Sequence, residues 1–276
     1  MTENREVKSD VFSMLMENKK YALEVYNAVN KTAYEDPEEI QITTLKRGIS
    51  LSIRNDASII LGMNLNLYEH QSTYSPNMPL RSLIYFVDIL KPLIKDEDIY
   101  GRKLINIPTP KFVTFYNGIE KRPEIEVFKL SKAFRNVTES PEIELICTVY
   151  NINSGYNNEL LNNCKVLGEY MVFIDKIREN EADGYEYPIE EAINWCIDNN
   201  ILNEFLITRK PEVLKAMIID MTFERREELI RRDERQEGIQ QGIQQGQQQL
   251  LIAMVKDGII DIVSAAKYLD IPETEF

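Results

Sequence analysis

Two acids sit at matching ends of two short apolar runs. Asp56 precedes Ala57-Ser58-Ile59-Ile60-Leu61, and Glu69 falls near the end of Leu65-Asn66-Leu67-Tyr68-Glu69-His70-Gln71, with Gly62 between the runs. If the runs pair as a hairpin, Asp56 and Glu69 meet at its open end. Side chains alternate along a strand, so Leu67, Glu69 and Gln71 share one face while Tyr68 and His70 share the other. Asp56, Glu69 and Gln71 are therefore expected to point into one site. Two converging carboxylates suit magnesium or manganese, hard cations that take oxygen ligands and keep part of their water shell. One such water can serve as nucleophile while the ion offsets charge on a phosphate, which is the chemistry of phosphodiester hydrolysis. Acids at strand ends are also commonly solvated edge charges, so the spacing alone leaves both readings open.

Composition narrows the alternatives. Three cysteines, Cys147, Cys164 and Cys196, share no metal-type spacing and are an odd number, which argues against a zinc ribbon or a disulfide framework and favours a reducing cytoplasm. His70 is the single histidine, so a two-histidine metal site cannot be assembled from one copy, and any Ser-His-Asp triad would have to use it. The start, MTENREVKSD, has no apolar run after a basic segment, and no stretch approaches a membrane span, so a cytoplasmic protein with no membrane partner is expected. Lys plus Arg number 32 against 45 Asp plus Glu, a net charge of −13 that repels nucleic acid at long range. Any nucleic-acid contact must rest on a local patch.

The elements that would position the acids are legible in part. Apolar residues from Val7 to Ala28 recur at helical spacing with a break near Asn18 and Lys19, predicting two short helices. Asp36-Pro37 marks a loop, after which Ile40, Ile42, Leu45, Ile49, Leu51 and Ile53 read as strand-like pieces. Asn77 to Asp96 predicts a buried helix with Met78, Leu80, Leu83, Ile84, Val87, Leu90, Leu93 and Ile94 on one broad face, Pro79 tolerated in its first turn and Pro92 shortening its end. Lys111 to Tyr116 predicts a strand closed by a turn at Asn117-Gly118, and Glu142 to Asn151 predicts another. Beyond about Asn157 the pattern is helical: Glu159 to Asn180, Ile189 to Asp198, Ile201 to Thr208, Glu212 onward, and an apolar helix from Ile259 to Leu269. Residues 1–183 are thus expected as one domain, 184–236 as a helical region with a break near Gly184, and 237–276 as a Gly/Gln-rich helical tail. In the tail, GIQQGIQQGQQQ spaces Gly238, Gly242 and Gly246 four apart, which fits either a frayed linker helix or a seam for self-association.

The run NDASIILGMNLNLYEHQSTYSPNMPLRSLIYF, with SDVFSMLM, YNAVNKTAY and FVTFYNG, resembles the Rpn family of recombination-promoting nucleases, within the PD-(D/E)XK nuclease superfamily. The resemblance covers most of residues 6–155, with a weaker echo in the Gly/Gln tail. It implies an α/β, restriction-endonuclease-like three-layer core, a mixed sheet between helices with the active site on the central hairpin, followed by an all-helical C-terminal region. It implies a metal-dependent DNA endonuclease using Mg2+ or Mn2+, associated with recombination or mobile elements. By the same resemblance Asp56 matches the first metal-binding acid and Glu69 the acid of the (D/E)XK element. Gln71 falls where the superfamily has lysine, and Asp10 matches an acid that can join such sites. Glutamine lacks the positive charge of lysine, so a lower or more metal-dependent rate is expected. The alternative is a nuclease-fold protein that no longer turns over and acts as a nucleic-acid-binding or protein-interaction scaffold.

Other residues carry weaker signals. The resemblance raises a phosphate contact for Arg81, whose plainer reading is an ion pair with a nearby acid. His70, facing away from Glu69, reads as a packed or hydrogen-bonded histidine rather than a general base. Asn117-Gly118 is read as a turn favoured by positive φ. Between Gly101 and Arg135 eight basic residues outnumber acids by five; this window is either a solvated face or a DNA-backbone contact, with Tyr116 or Phe134 stacking on a base. The mixed-charge segment Phe223 to Glu237 fits an exposed or coiled-coil helix, and a homodimer through the C-terminal helices is expected.

Overall fold

The acids lie on a hairpin packed between two short helices on one face and a third helix on the other. A computed structural model of the chain describes residues 11–43, 56–95, 99–136, 138–257 and 259–261. Asp10, the strand-like residues Leu45, Ile49, Leu51 and Ile53, and most of the expected Ile259–Leu269 helix lie outside the described residues. Helix α1 spans Val11–Met16 and α2 spans Lys19–Asn30. The break between them is Asn18, whose side chain accepts from the backbone N–H of Lys20 and so caps α2.

Strands β1 (Gln41–Ile42), β2 (Ala57–Leu61) and β3 (Asn64–Gln71) form an antiparallel meander. Gly62, at φ +59°, makes the tight β2–β3 turn. Helix α3 (Met78–Leu90) follows, with a 3-10 turn at Lys91–Leu93 where Pro92 stops it, and then β4 (Thr109–Tyr116), β5 (Ile125–Lys129) and β6 (Ile146–Asn151). The sheet order is β1-β2-β3-β4-β6-β5. Strands β3, β4 and β6 run parallel, and β5 pairs antiparallel on the outer side of β6. Helices α4 (Asn158–Asn162), α5 (Lys165–Ala182), α6 (Pro188–Asp198) and α7 (Asn203–Lys256) complete the described chain.

The fold is thus α/β, a six-stranded mixed sheet flanked by helices. One face of the hairpin, through Ala57, Ile59, Leu61 and Tyr68, joins Val113 and Phe115 in a core with α1, α2, α5 and α6. The other, through Ile60, Leu65 and Leu67, joins Phe112 and Cys147 under Met78, Tyr85 and Ile89 of α3. Burying each such large apolar side chain stabilises the fold by roughly 1.5–3 kcal/mol, so the two cores hold the sheet from both sides.

Four expectations change. The buried stripe of α3 is Met78, Ser82, Tyr85 and Ile89, whereas Leu80, Ile84 and Val87 face outward and are exposed. Neither Asn117 nor Gly118 has positive φ; glycine is required because a Cβ at position 118 would stand 2.0 Å from the carbonyl oxygen of Ser72. Strand β5 carries no strong sequence signal and was not expected. The single helix expected over Glu159–Asn180 is divided at Asn163 and Cys164 into α4 and α5.

The chain divides into two compact units, residues 1–221 and 222–276. Gly184 is a turn between α5 and α6, and both helices feed the same core, as do Phe205, Leu206, Val213 and Met217 of α7. Helix α7 departs from helical geometry at Arg209, two residues before Pro211. In the second unit, Ile239, Ile243 and Leu250 are exposed.

The close approach at Gly118 gives a direct test. Gly118→Ala drives a methyl group against the Ser72 backbone and is expected to destabilise the protein by about 1–3 kcal/mol, measured by urea denaturation.

Candidate functional site

The hairpin register decides which side chains meet. Ala57 pairs with Tyr68, so the next residues outward, Asp56 and Glu69, face each other at the open end. The contacts are reciprocal: the backbone N–H of His70 donates to Asp56 Oδ2 at 2.6 Å, and the backbone N–H of Asp56 donates to Glu69 Oε1 at 3.3 Å. Each acid is oriented by the backbone of the opposite strand.

Glu69 is 2% exposed, an unusual place for a carboxylate. A buried charge persists only if it is paired and hydrogen-bonded. Among the described residues Arg81, in the first turn of α3, is such a partner: its Nη2 lies 2.9 Å from Glu69 Oε2. Arg81 is itself held from two further sides. Its Nε donates to the Tyr85 hydroxyl at 3.2 Å, one helical turn along. The Gln71 amide has one orientation that satisfies both its ends: its nitrogen donates to the Thr73 carbonyl at 3.2 Å, and its oxygen accepts from Arg81 Nη1 at 2.7 Å.

Charge and protonation follow from this packing. Burial works against the charge on Arg81, but Glu69 and then Tyr85 hold its pKa above the ordinary arginine value. Burial, and next the Glu69 charge, push the Tyr85 phenol up to about 12, so it stays protonated. Below the site, Thr114 and Cys147 are buried and hydrogen-bonded to each other at 3.4 Å, and burial raises the Cys147 thiol.

The other face of β3 is structural. His70 stacks on Phe12 with centroids 5.7 Å apart, and its Nε2 lies 3.2 Å from the Tyr170 hydroxyl of α5. The structure brings Asp56, Glu69, Gln71 and Arg81 together and sets His70 apart from them. Tyr85 and Thr73 belong to the site without having been singled out; the i,i+4 spacing of Arg81 and Tyr85 on a helix was the available signal.

The basic window is partly consumed by structure. Lys111 Nζ donates to the Val29 carbonyl at 3.1 Å and to Asn30 Oδ1 at 3.0 Å, covering the C-terminal end of α2, and burial lowers its pKa. Arg122 pairs with Glu126 and stacks over the Tyr74 ring at 3.7 Å. Tyr116 is buried, and its hydroxyl donates to the Glu120 carbonyl, so it cannot stack on a base. Arg102, Lys103, Lys121, Lys129, Lys132 and Arg135 remain exposed.

The carboxylates of Asp56 and Glu69 are oxygen donors of the kind a hard divalent cation takes, and magnesium or manganese needs only one or two of them when water completes the shell. Gln71 adds a neutral amide beside them. No helix among the described residues is long and apolar enough to cross a membrane. Neither a family model, nor a curated protein, nor a solved structure matches the chain.

Removing Arg81 should expose the burden that Glu69 carries. In Arg81→Ala the folded-state pKa of Glu69 is expected to rise above its unfolded value of about 4.3. The native state then binds more protons than the unfolded one, so the deficit relative to wild type is smallest below about pH 4.3 and grows as pH rises. Because Arg81 is 40% exposed, the loss at pH 7.5 should be about 2 kcal/mol, below the ~3–5 kcal/mol of a fully buried pair. Urea denaturation at pH 4 and 7.5 measures it; a pH-independent difference contradicts the assignment.

Proposed function

We propose that the protein is a metal-dependent DNA endonuclease of the restriction-endonuclease-like type, with Asp56 and Glu69 as its metal ligands. The observation that supports this most directly is the reciprocal Asp56–Glu69 pairing across the hairpin, which fixes two carboxylates at one edge of the α3 face of the sheet. Asp56 and Glu69 would hold Mg2+ or Mn2+, which would supply an activated water and offset charge on the scissile phosphate. Released from Thr73 and Arg81, the Gln71 amide would orient a water or a phosphate oxygen, and the Arg81 guanidinium would contact the same phosphate. Exposed lysines and arginines of the 101–135 window contribute backbone contacts that the net charge of −13 would otherwise oppose.

A second reading has its own support. Glu69 is ion-paired with Arg81, and position 71 carries an amide rather than an ammonium group. A protein in that state binds nucleic acid or a protein partner without turning over.

Incubation with supercoiled, linear duplex and single-stranded DNA in magnesium, manganese or EDTA separates the readings. Cleavage is expected with metal and not with EDTA, falling at least about a thousandfold in Asp56→Ala and Glu69→Ala while circular dichroism stays unchanged. Full activity in either variant removes the site assignment. Metal-independent DNA binding without cleavage supports the scaffold.

Cutting both strands calls for two sites or two events, so we also propose a homodimer through the second unit. The exposed Ile239 and Ile243, four residues apart on a helix, supply an apolar seam beside Gly242. Ile239→Glu with Ile243→Glu is expected to halve the mass seen by light scattering at micromolar concentration. A wild type of monomer mass overturns the dimer, and a dimer mass unchanged by the substitutions puts its interface elsewhere.

A further inference from the structure

We propose that Arg81 is an exchangeable cation: it neutralises Glu69 while no metal is bound, and it turns onto a phosphate group when a divalent ion takes its place. This deepens the metal-dependent reading above and rests on it.

Three observations lead here. First, Arg81 and a metal ion would compete for one atom, because Nη2 already lies 2.9 Å from Glu69 Oε2. A divalent ion on that carboxylate and a guanidinium against the same oxygen repel each other, and in a site this buried salt screens the repulsion weakly. Second, Arg81 is able to leave. Its side chain is 40% exposed against 3% for Glu69, and among the described residues its partners Glu69, Gln71 and Tyr85 take three of its five N–H groups. The two that remain are donors for an anion, and a planar guanidinium suits a phosphate. Third, the residue at 71 is matched to this arrangement. An amide oxygen accepts from Arg81 at 2.7 Å, whereas an ammonium group at that position would repel it. The positive charge of the site is carried by α3, and Gln71 is the strand residue that receives it.

The exchange makes the empty and loaded states electrostatically distinct. Without metal, Arg81 is occupied by Glu69 and contributes little to nucleic-acid binding. With metal, the freed guanidinium adds one phosphate contact.

The test measures Mn2+ binding by calorimetry at pH 7.5 without DNA, on wild type, Arg81→Gln, Tyr85→Phe, Asp56→Asn and Glu69→Gln. Arg81→Gln is expected to bind Mn2+ about tenfold more tightly than wild type, because the competing charge is gone. Tyr85→Phe removes only the Nε acceptor, keeps Glu69 neutralised in case Arg81→Gln folds poorly, and is expected to shift affinity in the same direction by a smaller factor. Binding of a short duplex, followed by fluorescence anisotropy, is the second readout. In Ca2+, Arg81→Gln should bind about tenfold more weakly than wild type, the loss of one phosphate contact. In EDTA the two should bind alike.

Mn2+ affinity unchanged or weakened in both Arg81→Gln and Tyr85→Phe overturns the exchange. If Asp56→Asn and Glu69→Gln still lose Mn2+ binding, the metal-site reading survives that result. If wild type and Arg81→Gln both fail to bind Mn2+, or if Asp56→Asn and Glu69→Gln bind it as wild type does, the metal-site reading fails and the exchange with it. A DNA-affinity loss of equal size in Ca2+ and EDTA also overturns the exchange, since Arg81 would then contact phosphate regardless of metal.

Discussion

The Glu69 carboxylate is the constraint from which the surrounding structure follows. A charged group 2% exposed between sheet and helix is tolerated only with a counter-charge in direct contact. That requirement dictates where α3 begins, because Arg81 must fall in its first turn to reach Oε2. It also dictates which face of α3 turns inward. Tyr85 follows one turn later to hold the guanidinium by Nε, and Met78, Ser82 and Ile89 share the stripe. Gln71, two residues beyond Glu69 on the same strand face, closes the arrangement from the sheet side.

The same constraint explains what the sequence reveals and what it conceals. The hairpin is legible because its two runs have strand-length apolar content, a glycine between them and acids at equal distances from the Gly62-Met63 turn. The opposition of Asp56 and Glu69 then follows from counting, and the placement of His70 on the other face from alternation. The orientation of α3 is not legible in this way. Its apolar residues surround most of the helix, and Leu80, Ile84 and Val87 score as well for burial as Met78 and Ile89. The choice is made by a tertiary ion pair, which brings Arg81 and Tyr85 inward with Ser82 and leaves three aliphatic side chains exposed. Helical periodicity weighs apolar residues alike and cannot see that pair.

Strand β5 escapes for a different reason. Glu124, Glu126 and Lys129 interleave with Ile125 and Val127, and both of these apolar side chains are half exposed. Edge strands are short and charged because an unprotected edge invites pairing with other chains. The features that protect β5 also dilute its signal. At Gly118 the glycine answers to the Ser72 carbonyl, a contact between chain segments some 46 residues apart that local turn chemistry does not contain.

One strand serves both cores, and its register therefore sets the chemistry. Leu67, Glu69 and Gln71 face α3, while Tyr68 and His70 face α1 and α5. A slip of one residue would exchange the two sets, placing His70 against Arg81 and Glu69 against the Phe12 ring. Each face resists that exchange. On one side the carboxylate would lose its arginine; on the other, His70 would lose its stack on Phe12 and its contact with the Tyr170 hydroxyl. The parallel pairing of β3 with β4 extends the restraint, since Gln71 lies beside Tyr116 and the Gln71 carbonyl accepts from the Asn117 N–H at 3.0 Å. The packing that hides His70 is thus part of what aims Glu69 and Gln71 at Arg81, and the inert face of the strand positions the reactive one.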